Sequence, residues 1–122
     1  MNKFEEKRKT PRIEKKIPIK VREGDYCSVV ETKNISASGV YFTTEKPLPH
    51  MSKVMVTLLL PTNRDRNTKI ECKGTVVRTT PVAVQNNQNK TIYEMAIFFD
   101  EINEKTKNII SRYVKRTMSK TS

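Results

Sequence analysis

The stretch that decides the fold is IPIKVREGDYCSVVETKNISASGVYFTT, residues 17–44. Ile17, Ile19 and Val21 alternate with polar neighbours, a period of two that buries one face of a strand and solvates the other. Pro18, on the outward side, marks an edge or a strand start. Glu23, Gly24 and Asp25 supply a turn, and YCSVVETK at 26–33 resumes the strand pattern with β-branched residues. NISASG at 34–39 then breaks it with small polar residues and a glycine, before VYFTT at 40–44 restores it.

The same alternation continues outward. VMVTLLL at 54–60 follows the loop EKPLPHMS, KIECKGTVVRTT at 69–80 follows the turn PTNRDRN, and TIYEMAIFF at 91–99 follows the polar tract QNNQNK. Six short strands with regular turn signals predict an all-β chain closed into a six-stranded antiparallel barrel, because closure removes exposed strand edges. So small a barrel fills its own interior, and a ligand must bind outside or at a rim. Near the end the period changes to that of a helix. Ile102, Ile109, Ile110, Tyr113, Val114 and Met118 fall on one stripe, with Asn103 as N-cap and Glu104 in the first turn. The chain therefore divides into a flexible basic N-terminal arm (1–16), the barrel (17–100) and a C-terminal amphipathic helix and tail (101–122), which packs on the barrel, the commoner outcome, or on a partner.

At 122 residues there is room for one core. Lys and Arg number 24 against 13 Asp and Glu, a net charge of +11, and the excess sits at the ends. Residues 1–22 carry +6, residues 101–122 carry +4 and the stretch between only +1. A coat for long nucleic acid needs a basic stripe across its folded face; two basic ends suit a smaller anion. MNKFEEKRK is charged where an export signal needs an apolar run, and VMVTLLL is far shorter than the ~20 residues of a membrane span. The expectation is a cytoplasmic protein with no membrane span. Cys27 and Cys72 are then expected to be buried free thiols. They form no zinc pattern with the single His50, so no metal is expected. Three scattered glycines exclude a phosphate-binding loop, and no acid/base pair or nucleophile motif is present. The chain reads as a binding module and not an enzyme.

Two stretches carry the candidate chemistry. RKTPR at 8–12 sets Arg8 and Arg12 four positions apart, and Thr10 before Pro11 is disfavoured from the helical region. Four extended residues reach about 13 Å, enough for both arginines to grip different parts of one compact ligand. In NISASG, Asn34 offers an amide and Ser36 a hydroxyl that each donate and accept. Gly39 allows positive φ or a close backbone approach.

Together these stretches resemble the PilZ domain family, whose signature is RxxxR followed by [D/N]xSxxG: here Arg8 and Arg12, then Asn34, Ser36 and Gly39. The likeness extends to a proline-containing first strand, the GTVVR of Gly74 to Arg78, a last strand ending in FFD, and a C-terminal helix. It implies a receptor for cyclic di-GMP, the bacterial second messenger, bound by Arg8, Arg12, Asn34, Ser36 and Gly39, with Lys7, Lys9 and Arg78 as secondary candidates. Guanine O6 and N7 match the planar fork of arginine, a pairing lysine cannot make. The arm is then expected to be loose without ligand and to order against the 34–39 turn on binding, changing the surface offered to an unidentified effector protein. Asn34 stands where many members have aspartate, Ala96 where glycine is common, and Arg78 where tryptophan is frequent. Two other readings remain: a small basic barrel for single-stranded nucleic acid, which is disfavoured if Phe42, Phe98 and Phe99 are core, and a nucleotide-independent protein adaptor.

Overall fold

The computed structural model describes residues 11–62, 66–85 and 90–120, apart from the side chains of 83–85 and 120. Its strands are β1 (Arg12–Ile13), β2 (Pro18–Glu23), β3 (Tyr26–Ser36), β4 (Gly39–Thr44), β5 (Lys53–Leu60), β6 (Thr68–Gln85) and β7 (Lys90–Glu101), followed by helix α1 (Glu104–Lys120). Hydrogen bonding runs β3, β2, β5, β6, β7, β4 and returns from β4 to β3, so six antiparallel strands close a barrel. Strand β1 is an addition, paired with the end of β3.

Alternation fills the interior. Ile19, Val21, Ile35, Phe42, Val56, Leu58, Val76, Met95 and Ile97 are at most 1% exposed, and burying each contributes about 1.5–3 kcal/mol. Pro18 opens β2, where its missing N–H costs least. The polar stretch read as a break is shorter than expected. Strand β3 runs on through Asn34 and Ile35 to Ser36, so only Ala37 and Ser38 connect it to β4. Turn-forming side chains conceal a strand whose partners are tertiary.

Thr32 is the buried polar residue that holds the entry to the barrel. Its hydroxyl accepts from the Ile17 amide at 3.0 Å and donates to the Lys15 carbonyl at 2.6 Å, while its own amide donates to the Ile17 carbonyl at 2.9 Å. Thr32→Val keeps the volume but leaves the buried Ile17 N–H without that acceptor. A loss of about 2 kcal/mol in urea unfolding is expected.

Helix α1 begins as the sequence predicts: the Asn103 carboxamide oxygen accepts from the Thr106 amide at 2.7 Å, the N-cap bond. Ile110, Tyr113 and Val114 are buried against the barrel, Ile102 and Ile109 pack at its margin, and α1 touches β1 and β3. Met118 departs from the predicted stripe, at 44% exposure. It lies a turn beyond Val114, the last buried residue among the described side chains of the helix, and periodicity reports a face but not how far the surface beneath it extends.

The cysteines correct another expectation. Both are free, but only Cys72 is buried; Cys27 is exposed, because its neighbours Tyr26 and Ser28, not Cys27, turn toward the interior. Burial, with the nearby Asp100 charge, pushes the Cys72 thiol up to about 11, and the thiolate is the reactive form. A thiol reagent at pH 8 should label Cys27 alone in the native protein, and both cysteines once it is denatured.

Candidate functional site

The outer face over β3, β4, β7 and β6 owes its side chains to two bulges. On β3, Thr32 pairs with Phe42 and Asn34 with Tyr41, leaving Lys33 as an extra residue. The added residue resets the alternation, so that Lys33 and Asn34 both turn outward while Ile35 returns to the core. On β6, Val76 pairs with Ile97 and Arg78 with Ala96, leaving Val77 extra. Val77 and Arg78 therefore both face solvent. Without these bulges the period-two rule would send Asn34 and Arg78 into the barrel. With them, Asn34, Tyr41, Ala96 and Arg78 form one row across four strands.

Beside this row, β1 sets Arg12 opposite Ser36 and Ile13 opposite Ile35. Ile13 is buried and Arg12 exposed. The helix lies against β1 and β3, so the backbone carrying Arg12 is held from two sides. Of the sequence candidates, Arg12 and Arg78 are exposed, Asn34 and Gly39 are half-buried, and Ser36, paired with Arg12, is buried. Arg8, Lys7 and Lys9 lie outside the described residues.

Ser36 is occupied within its own turn. Its Oγ accepts from the Ser38 amide at 3.1 Å and shares a hydrogen bond with the Ser38 hydroxyl at 3.0 Å. The side chain therefore shapes the bend. Gly39 answers the choice its sequence left open, between positive φ and close approach. Its φ is not in the left-handed region, and a Cβ there would collide with the Ile97 carbonyl oxygen. Gly39 is opposite Phe98, and the Phe99 amide donates to the Ser38 carbonyl at 2.9 Å, so β7 is drawn tightly onto the bend.

Two residues of this face escaped the sequence reading. Phe98, expected in the core, is 49% exposed, whereas Phe42 and Phe99 are buried. The alternation Met95, Ile97, Phe99 inward against Ala96 and Phe98 outward carries that signal. Tyr41 lies between Asn34 and Ala96 in the row. Partial burial and a hydrogen bond to Glu94 raise its phenol pKa, with contact to Arg78 acting the other way. Glu94 in turn has Lys33 at 4.0 Å. The surface thus combines guanidinium groups, an amide and two aromatic rings, a set suited to an anion that carries planar bases. Among the described residues no cluster of His, Cys, Asp or Glu could hold a metal ion, and no helix is long and apolar enough to cross a membrane.

Comparison with known proteins agrees with this fold. No curated protein matches the chain. Among solved structures the fold is similar to that of the Bacillus subtilis inhibitor of motility MotI/DgrA, with a TM-score of 0.76, 16% identity, and coverage of 93% of this chain and 52% of that one. It is similar to the PilZ domain of Escherichia coli YcgR with c-di-GMP, with a TM-score of 0.68, 10% identity and 93% of each chain covered. The K. pneumonia MrkH–c-di-GMP complex gives a TM-score of 0.68 and 14% identity, over 93% of this chain and 53% of that one. The chain thus spans about half the length of MotI and MrkH. The PilZ domain model matches residues 6–116, nearly the whole sequence and both of its motifs, and the chain belongs to the PilZ domain family.

Proposed function

We propose that this protein is a receptor for cyclic di-GMP that binds the nucleotide on the bulged outer face and regulates an effector protein. The observation that carries the reading is the β1–β3 pairing, which sets Arg12 of the first motif opposite Ser36 of the second although 24 positions separate them in the chain. Family membership supports it, as does the presence of c-di-GMP in the similar YcgR and MrkH structures. In this reading Arg12 forks onto a guanine edge or a phosphate, and Arg8, within about 13 Å along an extended chain, takes a second part of the ligand. Asn34 pairs with a base edge or phosphate. Ser36 acts by fixing the bend, and Gly39 lets the ligand and β7 approach it. Lys7, Lys9 and Arg78 add positive charge.

Closing of the arm over the nucleotide then changes the surface offered to the effector. The protein acts in the cytoplasm and performs no catalysis. Calorimetric titration with cyclic di-GMP tests the reading: saturable binding of one or two nucleotides per protomer, with slowed amide exchange in the arm that precedes β1, is the expected result. No saturable heat at any concentration would sink it. The exposed Phe98 favours one alternative, a platform for single-stranded nucleic acid. In that case an oligonucleotide, and not the cyclic dinucleotide, binds, with a steep salt dependence.

A further inference from the structure

Strands β2 and β5 lie across the barrel from β4 and β7 in the ring of strands. Their outer face is not a plain solvated surface. Pro18, Lys20 and Arg22 on β2, Met55 and Leu59 on β5 and Val29 on β3 line a groove of about 390 Å³, whose far wall is Lys69 and Glu71 on β6. Register explains the convergence. Lys20 lies between Val29 and Thr57, Arg22 is opposite Met55, and Lys69 is opposite Leu59. Val29 is 70% exposed and Leu59 38%, aliphatic side chains on the face that alternation reserves for polar residues.

The groove also carries an excess of positive charge. Lys33, Lys53, Lys73 and Lys90, outside the groove, each have a carboxylate within 4.0 Å. Lys20, Arg22 and Lys69 have no ion-pair partner among the described residues, and Glu71 is the single carboxylate lining the groove. An apolar floor with an excess of uncompensated cations at its rim is complementary to an apolar knob flanked by carboxylates.

We propose that this groove docks a partner protein through an acidic amphipathic segment, and that it does so whether or not the opposite face holds a nucleotide. The inference goes beyond the receptor reading and does not depend on it. A second copy of this chain would bring the same cations against one another. An anionic bilayer meets a flat or protruding surface better than a concave one, and nucleic acid leaves the apolar floor unmatched. A partner side chain seated in the groove satisfies both the shape and the charge.

The test uses the full chain, labelled with nitrogen-15, and two synthetic helical peptides that share one leucine stripe but carry glutamate or lysine at every polar position. The glutamate peptide is expected to shift the amides of residues 18–22, 55–59 and 69–71 saturably, and the lysine peptide to leave them in place. Leu59→Glu and Lys20→Glu, both at exposed positions, should each weaken that binding by about tenfold or more, and saturating cyclic di-GMP should not change it. The proposal is overturned if neither peptide or both alike bind, if the shifts map elsewhere, or if cyclic di-GMP abolishes them. It is equally overturned if phosphatidylserine vesicles alone perturb these amides, or if they are covered by self-association. Because the titration starts without nucleotide, a failure to bind cyclic di-GMP would remove the receptor reading and leave this result intact.

Discussion

Replacing Gly39 with alanine is expected to cost about 3 kcal/mol of stability, seen as a fall in the urea midpoint with an unchanged slope. The new methyl group would overlap the Ile97 carbonyl oxygen, and backbone, unlike a long side chain, cannot swing aside. Ile97 is paired on both sides, with Val40 on β4 and Val76 on β6. Any relief must therefore open a barrel seam. The Phe99 to Ser38 hydrogen bond lies at the same place, so the bend that presents Asn34 and Ser36 should shift as well. Binding of cyclic di-GMP is expected to weaken along with stability. An alanine variant with wild-type stability would show that β7 does not press on this position.

Arg12→Ala should separate the two effects, weakening cyclic di-GMP binding by about 10- to 100-fold while leaving the unfolding midpoint almost unchanged. The pairing of an arginine fork with guanine is worth roughly 1–3 kcal/mol. The Arg12 side chain is exposed, and β1 is held through its backbone and through buried Ile13. Nothing in the fold depends on the guanidinium. Arg12→Lys keeps the charge but loses the planar fork, and its affinity should fall between alanine and wild type. Calorimetric titration of the three proteins, alongside urea unfolding, separates recognition from folding. Equal affinity for all three would remove Arg12 from the site.

The strand plan was readable in the chain because a buried face imposes a period of two wherever it occurs: Ile19 and Val21, Val40 and Phe42, Met95 and Ile97 announce themselves by spacing alone. Asn103 announced the start of α1 for a similar reason, since a cap bonds within its own turn. The residue types of the proposed site were equally legible, because two arginines and an Asn, Ser, Gly turn stand in short local motifs.

What spacing could not report were the departures from it. Lys33 and Val77 are single inserted residues whose effect exists only opposite a partner strand, and they alone bring Asn34 and Arg78 to the outer face. The two-residue strand β1 is too short to show a period, yet it sets Arg12 beside Ser36. Tyr41, Phe98 and the face of β2 and β5 acquired their surroundings the same way. The amino-acid sequence by itself determined that the chain is a small barrel and which groups are proposed to meet a guanine nucleotide. Which of them share a surface was decided by the tertiary structure, because register and bulges arise between strands distant in the chain, where no local pattern records them.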